Sequence, residues 1–120
     1  MLNQIVLVGR LVRKPELKKA ENDNQYAYIT LAVPRSFKNV NGEYDTDFID
    51  CILWNVAATN TVEFCDKGDI VGVRGRIQSR VIEKDENKTT KLEIICERVT
   101  FLSNKKNVEN NEIIAEDEAE

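Results

Sequence analysis

Apolar positions along this chain recur mainly at every second residue, the period of half-buried strands. Ile5-Val6-Leu7-Val8 opens it as a β-branched run that predicts a first strand through Arg10. Over Tyr26–Val33, Ala27, Ile29, Leu31 and Val33 take one side while Tyr26, Tyr28, Thr30 and Ala32 take the other. Asn41-Gly42 signals a turn, followed by a strand from about Thr46 to Trp54. In that strand Ile49, Cys51 and Leu53 share the natural core side, leaving Phe48, Asp50, Ile52 and Trp54 on the other face. Val56–Cys65 alone has helical spacing, with Ala58, Val62 and Cys65 in line. Lys67-Gly68 is suited to end that helix with a cation and a positive φ. Ile70–Val81 reads as a strand with bends or bulges at Gly72 and Gly75. Glu83–Thr90 reads as a charged loop, and Lys91–Cys96 with Val99–Leu102 as a last strand interrupted at Glu97-Arg98.

Three strands, a helix and two more strands, with no internal repeat, predict an all-β, five-stranded OB-fold barrel. Its one short helix falls between strands three and four. An SH3-like barrel has no place for that helix. The 120 residues suit one domain with a modest core. The domain is expected over residues 1–103, with a short acidic disordered tail over 104–120.

That division changes the meaning of the charge. The tail sets Lys105 and Lys106 against Glu109, Glu112, Glu116, Asp117, Glu118 and Glu120, which accounts for the whole net charge of −4. The body is therefore neutral and free to carry a basic face. No apolar run approaches the roughly 20 residues of a membrane helix. Met1 runs almost directly into the first strand, so no leader is expected and the expected location is cytoplasmic. Cys51, Cys65 and Cys96 are odd in number, widely spaced and flanked by apolar residues, as reduced buried thiols would be. The chain has no histidine, so neither a metal site nor another cofactor is expected.

Enzyme signatures are missing. Gly68-Asp69-Ile70-Val71-Gly72-Val73-Arg74-Gly75 has a nucleotide-loop glycine spacing but lacks the Gly-Lys-Ser/Thr ending, and its Ile/Val content belongs to a strand. Asp45, Asp47 and Asp50 do not converge on a metal, since Asp45 is expected in a turn and the other two have opposite strand parity.

Aromatics among cations are more informative. Phe37 lies between Arg35 and Lys38 just after a strand, and Phe48 and Trp54 share the face away from the core. All three are candidate platforms for stacking nucleic-acid bases. Phe64 and Phe101 are expected to fill the core. Tyr26 and Tyr28 suit either a barrel rim or a subunit contact. Arg74, Arg76 and Arg80 share strand parity unless a bulge at Gly75 intervenes, and such a row suits a line of phosphates. Arg10, Arg35 and Lys38 complete the candidate contacts, while Lys18, Lys19, Lys84 and Lys88 read as solubility charge. These features support binding of a single-stranded nucleic acid, DNA or RNA, on this fold. An accessory module that docks a replication partner is the alternative.

Met1-Leu2-Asn3-Gln4-Ile5-Val6-Leu7-Val8-Gly9-Arg10-Leu11, Pro15-Glu16-Leu17, Thr30-Leu31-Ala32-Val33, Asp47-Phe48-Ile49 and Trp54 occur in order. They are followed by the stretch from Lys67 to Arg80 and by Phe101-Leu102. In these segments the chain resembles the bacterial single-stranded DNA-binding proteins. The resemblance implies an OB barrel, assembled as a homotetramer, that wraps single strands with little sequence preference during replication, recombination and repair at the nucleoid. It implies base stacking on Phe37, Phe48 and Trp54. A fourth family aromatic falls on Ile82, and Asp50 stands where the family often has a neutral or basic side chain. The family's acidic tip, closed by Pro-Phe, docks partners; the segment Glu116-Asp117-Glu118-Ala119-Glu120 has the acidity without that apolar anchor, so tip docking is not expected to carry over.

Overall fold

The computed structural model describes residues 1–103. It contains β1 (Ile5–Leu11), β2 (Lys18–Lys19), β3 (Gln25–Lys38), β4 (Tyr44–Trp54), α1 (Asn55–Phe64), β5 (Ile70–Lys84) and β6 (Asn87–Ser103). The sheet runs β1-β5-β6-β4-β3-β2, and a further β1–β3 pairing closes five of the strands into a barrel. β2 is a two-residue addition on the outside of β3. Every pairing is antiparallel except β4 with β6. This is the predicted five-stranded OB barrel with a helix before its fourth strand.

Strand alternation sorts the side chains. Ala27, Ile29 and Leu31 of β3, Cys51 and Leu53 of β4, Val71 and Val73 of β5, and Ile94 and Cys96 of β6 converge in one buried core. Each aliphatic side chain buried there contributes about 1.5–3 kcal/mol of transfer free energy. The helix closes one end of the barrel through Ala58, Thr61 and the adjoining Cys65. Thr61 occupies the interior position expected of Val62, which is only half buried, and the Thr61 Oγ1 has no hydrogen-bond partner among the described residues. Phe64 differs from expectation: it is exposed on the helix, with its ring 6.0 Å from that of Phe101. The helix ends before Lys67-Gly68, with Cys65 extended as its cap. Gly68, at φ +91, instead shapes a turn docked on β1: its N–H donates to the Leu11 carbonyl, and the Leu11 N–H donates to the Asp69 carbonyl.

Two stretches predicted as loop or break are strand. β5 and β6 pair without interruption from Arg80↔Lys91 to Lys84↔Asn87 around a two-residue turn, Asp85-Glu86, in which both residues have positive φ. That backbone is the hairpin turn matching strand twist, usually supplied by Asn-Gly or Asp-Gly. Glu97 does not break β6. The register passes from Arg74↔Arg98 to Gly75↔Cys96, so Glu97 is the extra residue of a bulge. A Cβ on Gly75 would collide with the Ile95 carbonyl oxygen, which explains the glycine opposite the bulge. Because the extra residue belongs to β6, the alternation of β5 continues unbroken across Gly75. β4 begins at Tyr44, so Asp45 lies in a strand and not in a turn.

Candidate nucleic-acid interface

The outer surface of β3, β4, β6 and β5 is one curved face, and its register can be read strand by strand. Tyr26, Tyr28, Thr30 and Ala32 stand opposite Trp54, Ile52, Asp50 and Phe48. Ile52 stands beside Ile95 on β6, and Ile95, Glu93 and Lys91 face Arg76, Gln78 and Arg80. Opposed residues share a sheet face, so Phe48, Trp54, Arg76 and Arg80 are brought onto one surface.

Phe48 is 68% exposed, a large apolar ring standing in solvent. Trp54 is 37% exposed and leans on Tyr26, ring centroids 5.3 Å apart and tilted by 42°. Tyr28 meets Tyr26 edge-on at 5.8 Å. The sheet register thus puts both tyrosines on the Trp54 face. Behind them an open depression of about 530 Å³ is lined by Tyr26, Tyr28 and Trp54 on one side and by Gln78, Arg80 and Glu93 on the other. Arg76 Nη1 donates to Gln78 Oε1 at 2.7 Å, and Arg80 lies 3.8 Å from the buried Glu93 carboxylate. Ile82, at the position of the missing aromatic, is also partly exposed on this side of the β5–β6 arm.

The other predicted residues are distributed more widely. Arg10 shares a row with Ala32 and Phe48, but its Nη1 donates to the Gly68 carbonyl at 2.6 Å. Arg74 lines a second depression with Val6, Gly72, Arg98 and Thr100, away from Trp54. Phe37 is 68% exposed near the end of β3, within the irregular stretch between Pro34 and Lys38, and the Lys38 ammonium sits 5.8 Å over the Tyr44 ring. Arg35 turns to the side opposite Phe48. Its Nη2 donates to Asp47 Oδ1 at 2.9 Å, its Nε to Oδ2 at 3.2 Å, and Asp45 lies 3.6 Å away. Those bonds hold the Asp47 carboxyl below its ordinary range and push the Arg35 guanidinium up.

Three residues on this face escaped the sequence reading. The Thr30 hydroxyl donates to Asp50 Oδ1 at 2.6 Å while accepting from Arg13 Nη2 at 3.1 Å. Glu93, in a strand read only for its apolar residues, comes beside Arg80. Thr30 was legible as an outward residue by its parity with Tyr28, but Arg13 and Glu93 reach the site only through pairings between distant segments.

A family model described as the single-strand binding protein family matches residues 2–102, nearly the whole described chain. The chain belongs to this family. "Single-stranded DNA-binding protein B" of Bacillus subtilis is 43% identical over 106 residues, covering 88% of this chain and 94% of that protein. "Single-stranded DNA-binding protein 3" of Listeria innocua is 44% identical, over 89% of this chain and 68% of its own length. A "Single-stranded DNA-binding protein" of Halalkalibacterium halodurans is 45% identical over 85% of this chain, which spans 61% of it. The family is one of non-catalytic binding proteins.

Proposed function

We propose that this chain binds single-stranded DNA without catalysis and with little sequence preference, protecting the strand during replication, recombination and repair. Family membership supports the binding role. The observation that carries the site assignment is the placement of Phe48, Trp54, Arg76 and Arg80 on one curved sheet face. Bases stack on Phe48 and Trp54, with Tyr28 beside them and Phe37 along the β3–β4 arm. Phosphates follow Arg76 and Arg80, with Arg10, Lys38 and Arg74 contributing toward the edges. Arg35, already occupied by two carboxylates, contributes least.

The same reading assigns the chain to a homotetramer at the nucleoid in the cytoplasm. Val6 and Val8, 67% and 53% exposed on the outer face of β1, support a subunit contact there. The acidic tail, outside the described residues, competes weakly with DNA for the basic face in this reading.

Titration of Trp54 fluorescence with oligo-dT tests the assignment. Quenching is expected, with log affinity falling against log salt at a slope of about −0.7 per phosphate contacted. Trp54→Ala and Phe48→Ala, followed through a labelled oligomer, should each cost about 1–3 kcal/mol per stacked base. Absence of binding to oligo-dT, or tighter binding to a matched RNA oligomer, would overturn the reading.

A further inference from the structure

Asp50 stands out on the proposed face. It lies between Phe48 and Trp54 on the same side of β4, with alternate residues about 7 Å apart along the strand. A carboxylate there opposes phosphate, yet the structure holds it in place: Thr30 donates to Oδ1 at 2.6 Å and is itself oriented by Arg13 at 3.1 Å. The hydroxyl's single proton goes to Asp50 and its lone pair receives Arg13, so the chain of bonds is directional. Oδ2 has no hydrogen-bond partner within the described residues, and Asp50 is exposed. Glu93, also on this face, is buried near Arg80, and Glu21 lines the depression beside Trp54, whereas Asp50 stands exposed between the Phe48 and Trp54 rings of β4.

From this geometry we infer that Asp50 reads the edge of a base stacked beside it and favours bases that present an amino group. This rests on the binding role proposed above and adds a base preference to it. An ionised carboxylate only accepts hydrogen bonds. The 4-amino group of cytosine supplies a donor to it, as carboxylates accept from that amine in duplex recognition. Uracil and thymine present a carbonyl oxygen at that position, and their ring N–H lies between two carbonyls that repel the carboxylate. The Thr30 bond matters because a freely rotating aspartate would turn toward solvent as a base approached. Arg13 and Thr30 are thus positioning residues for Asp50.

Oligo-dC and oligo-dU of equal length separate this effect from the general grip, because the two bases differ only at the 4-position and the adjoining ring nitrogen. Anisotropy of end-labelled oligomers, at mildly alkaline pH where oligo-dC stays unpaired, should show the wild-type chain binding dC about three- to tenfold more tightly than dU, the range of one solvent-exposed hydrogen bond. Asp50→Asn, whose amide also donates, should lower that ratio to about one, mainly by gaining affinity for dU. Thr30→Val leaves the carboxylate charge in place but releases its anchor, and should also lower the ratio; thermal melts by circular dichroism establish that both variants are folded. A ratio unchanged by Asp50→Asn overturns the inference. So does an equal gain for dC, dU and an abasic phosphodiester, which marks Asp50 as a repulsive charge only. If the wild-type chain binds neither oligomer, the binding role itself fails, whereas equal binding of both removes the base preference alone.

Discussion

The pairing of Arg35 with Asp47 shows how a cation that suits nucleic acid in sequence is committed otherwise in space. Arg35 sits in an aromatic–cation cluster with Phe37 and Lys38, yet two of its nitrogens bond the Asp47 carboxylate on the side away from Phe48. The Asp47 carboxyl, held low chiefly by those hydrogen bonds, should titrate below its ordinary 3.8 when followed by NMR, and return toward that value in Arg35→Gln. Because its native value is depressed, the pair stabilises the fold above the ordinary carboxylate range. That contribution is lost as pH falls through the lowered native value. An Asp47 titration that is the same in both proteins would count against the bond. Phe48 and Trp54 were legible as outward residues because side-chain alternation is a local property of a strand. The partners of Arg35 were not, since parity alone does not select which carboxylate across the hairpin it meets.

At the scale of elements, the β5–β6 hairpin is the clearest departure from expectation. Asp85-Glu86 makes the turn without glycine, and the flanking ribbon is exposed on both faces, so no alternation marks it as strand. The result is a continuous arm that carries Arg80 and Ile82 beyond the barrel. Its register depends on the bulge at Glu97 and on Gly75, where the Ile95 carbonyl occupies the space of a side chain. Gly75→Ala should therefore destabilise the protein by about 1–3 kcal/mol through overpacking, read as a lower urea midpoint. The shift should carry Arg76 out of register and weaken oligo-dT binding as well. A variant with wild-type stability would show that the bulge can relax around a methyl group. The glycine's importance was visible in sequence as a bend or bulge point; the partner that forbids a side chain was not.

For the whole molecule, closure of the barrel buries the three thiols and sets their chemistry. Burial pushes Cys51 up to about 12 and Cys65 and Cys96 up to about 11. In the unfolded chain these groups ionise near 9.0, so above that pH the unfolded state holds fewer protons than the native state and gains stability relative to it. Stability under reducing conditions should accordingly fall as pH rises from about 9 toward about 11, and fall less steeply in Cys51→Ala. Equal slopes in urea melts of the two proteins would place the thiol in contact with solvent. Sequence by itself determined the order of elements, the core side of the early strands, the buried cysteines and the outward aromatics, because each follows from a residue and its near neighbours along the chain. Only the tertiary structure decided that Tyr26 and Tyr28 flank Trp54, that Arg74 lines a different depression from the one Arg80 shares with Trp54, and that Thr30 and Arg13 hold Asp50. These depend on strand pairing, curvature and contacts between distant segments, which chain closure creates and local pattern does not encode.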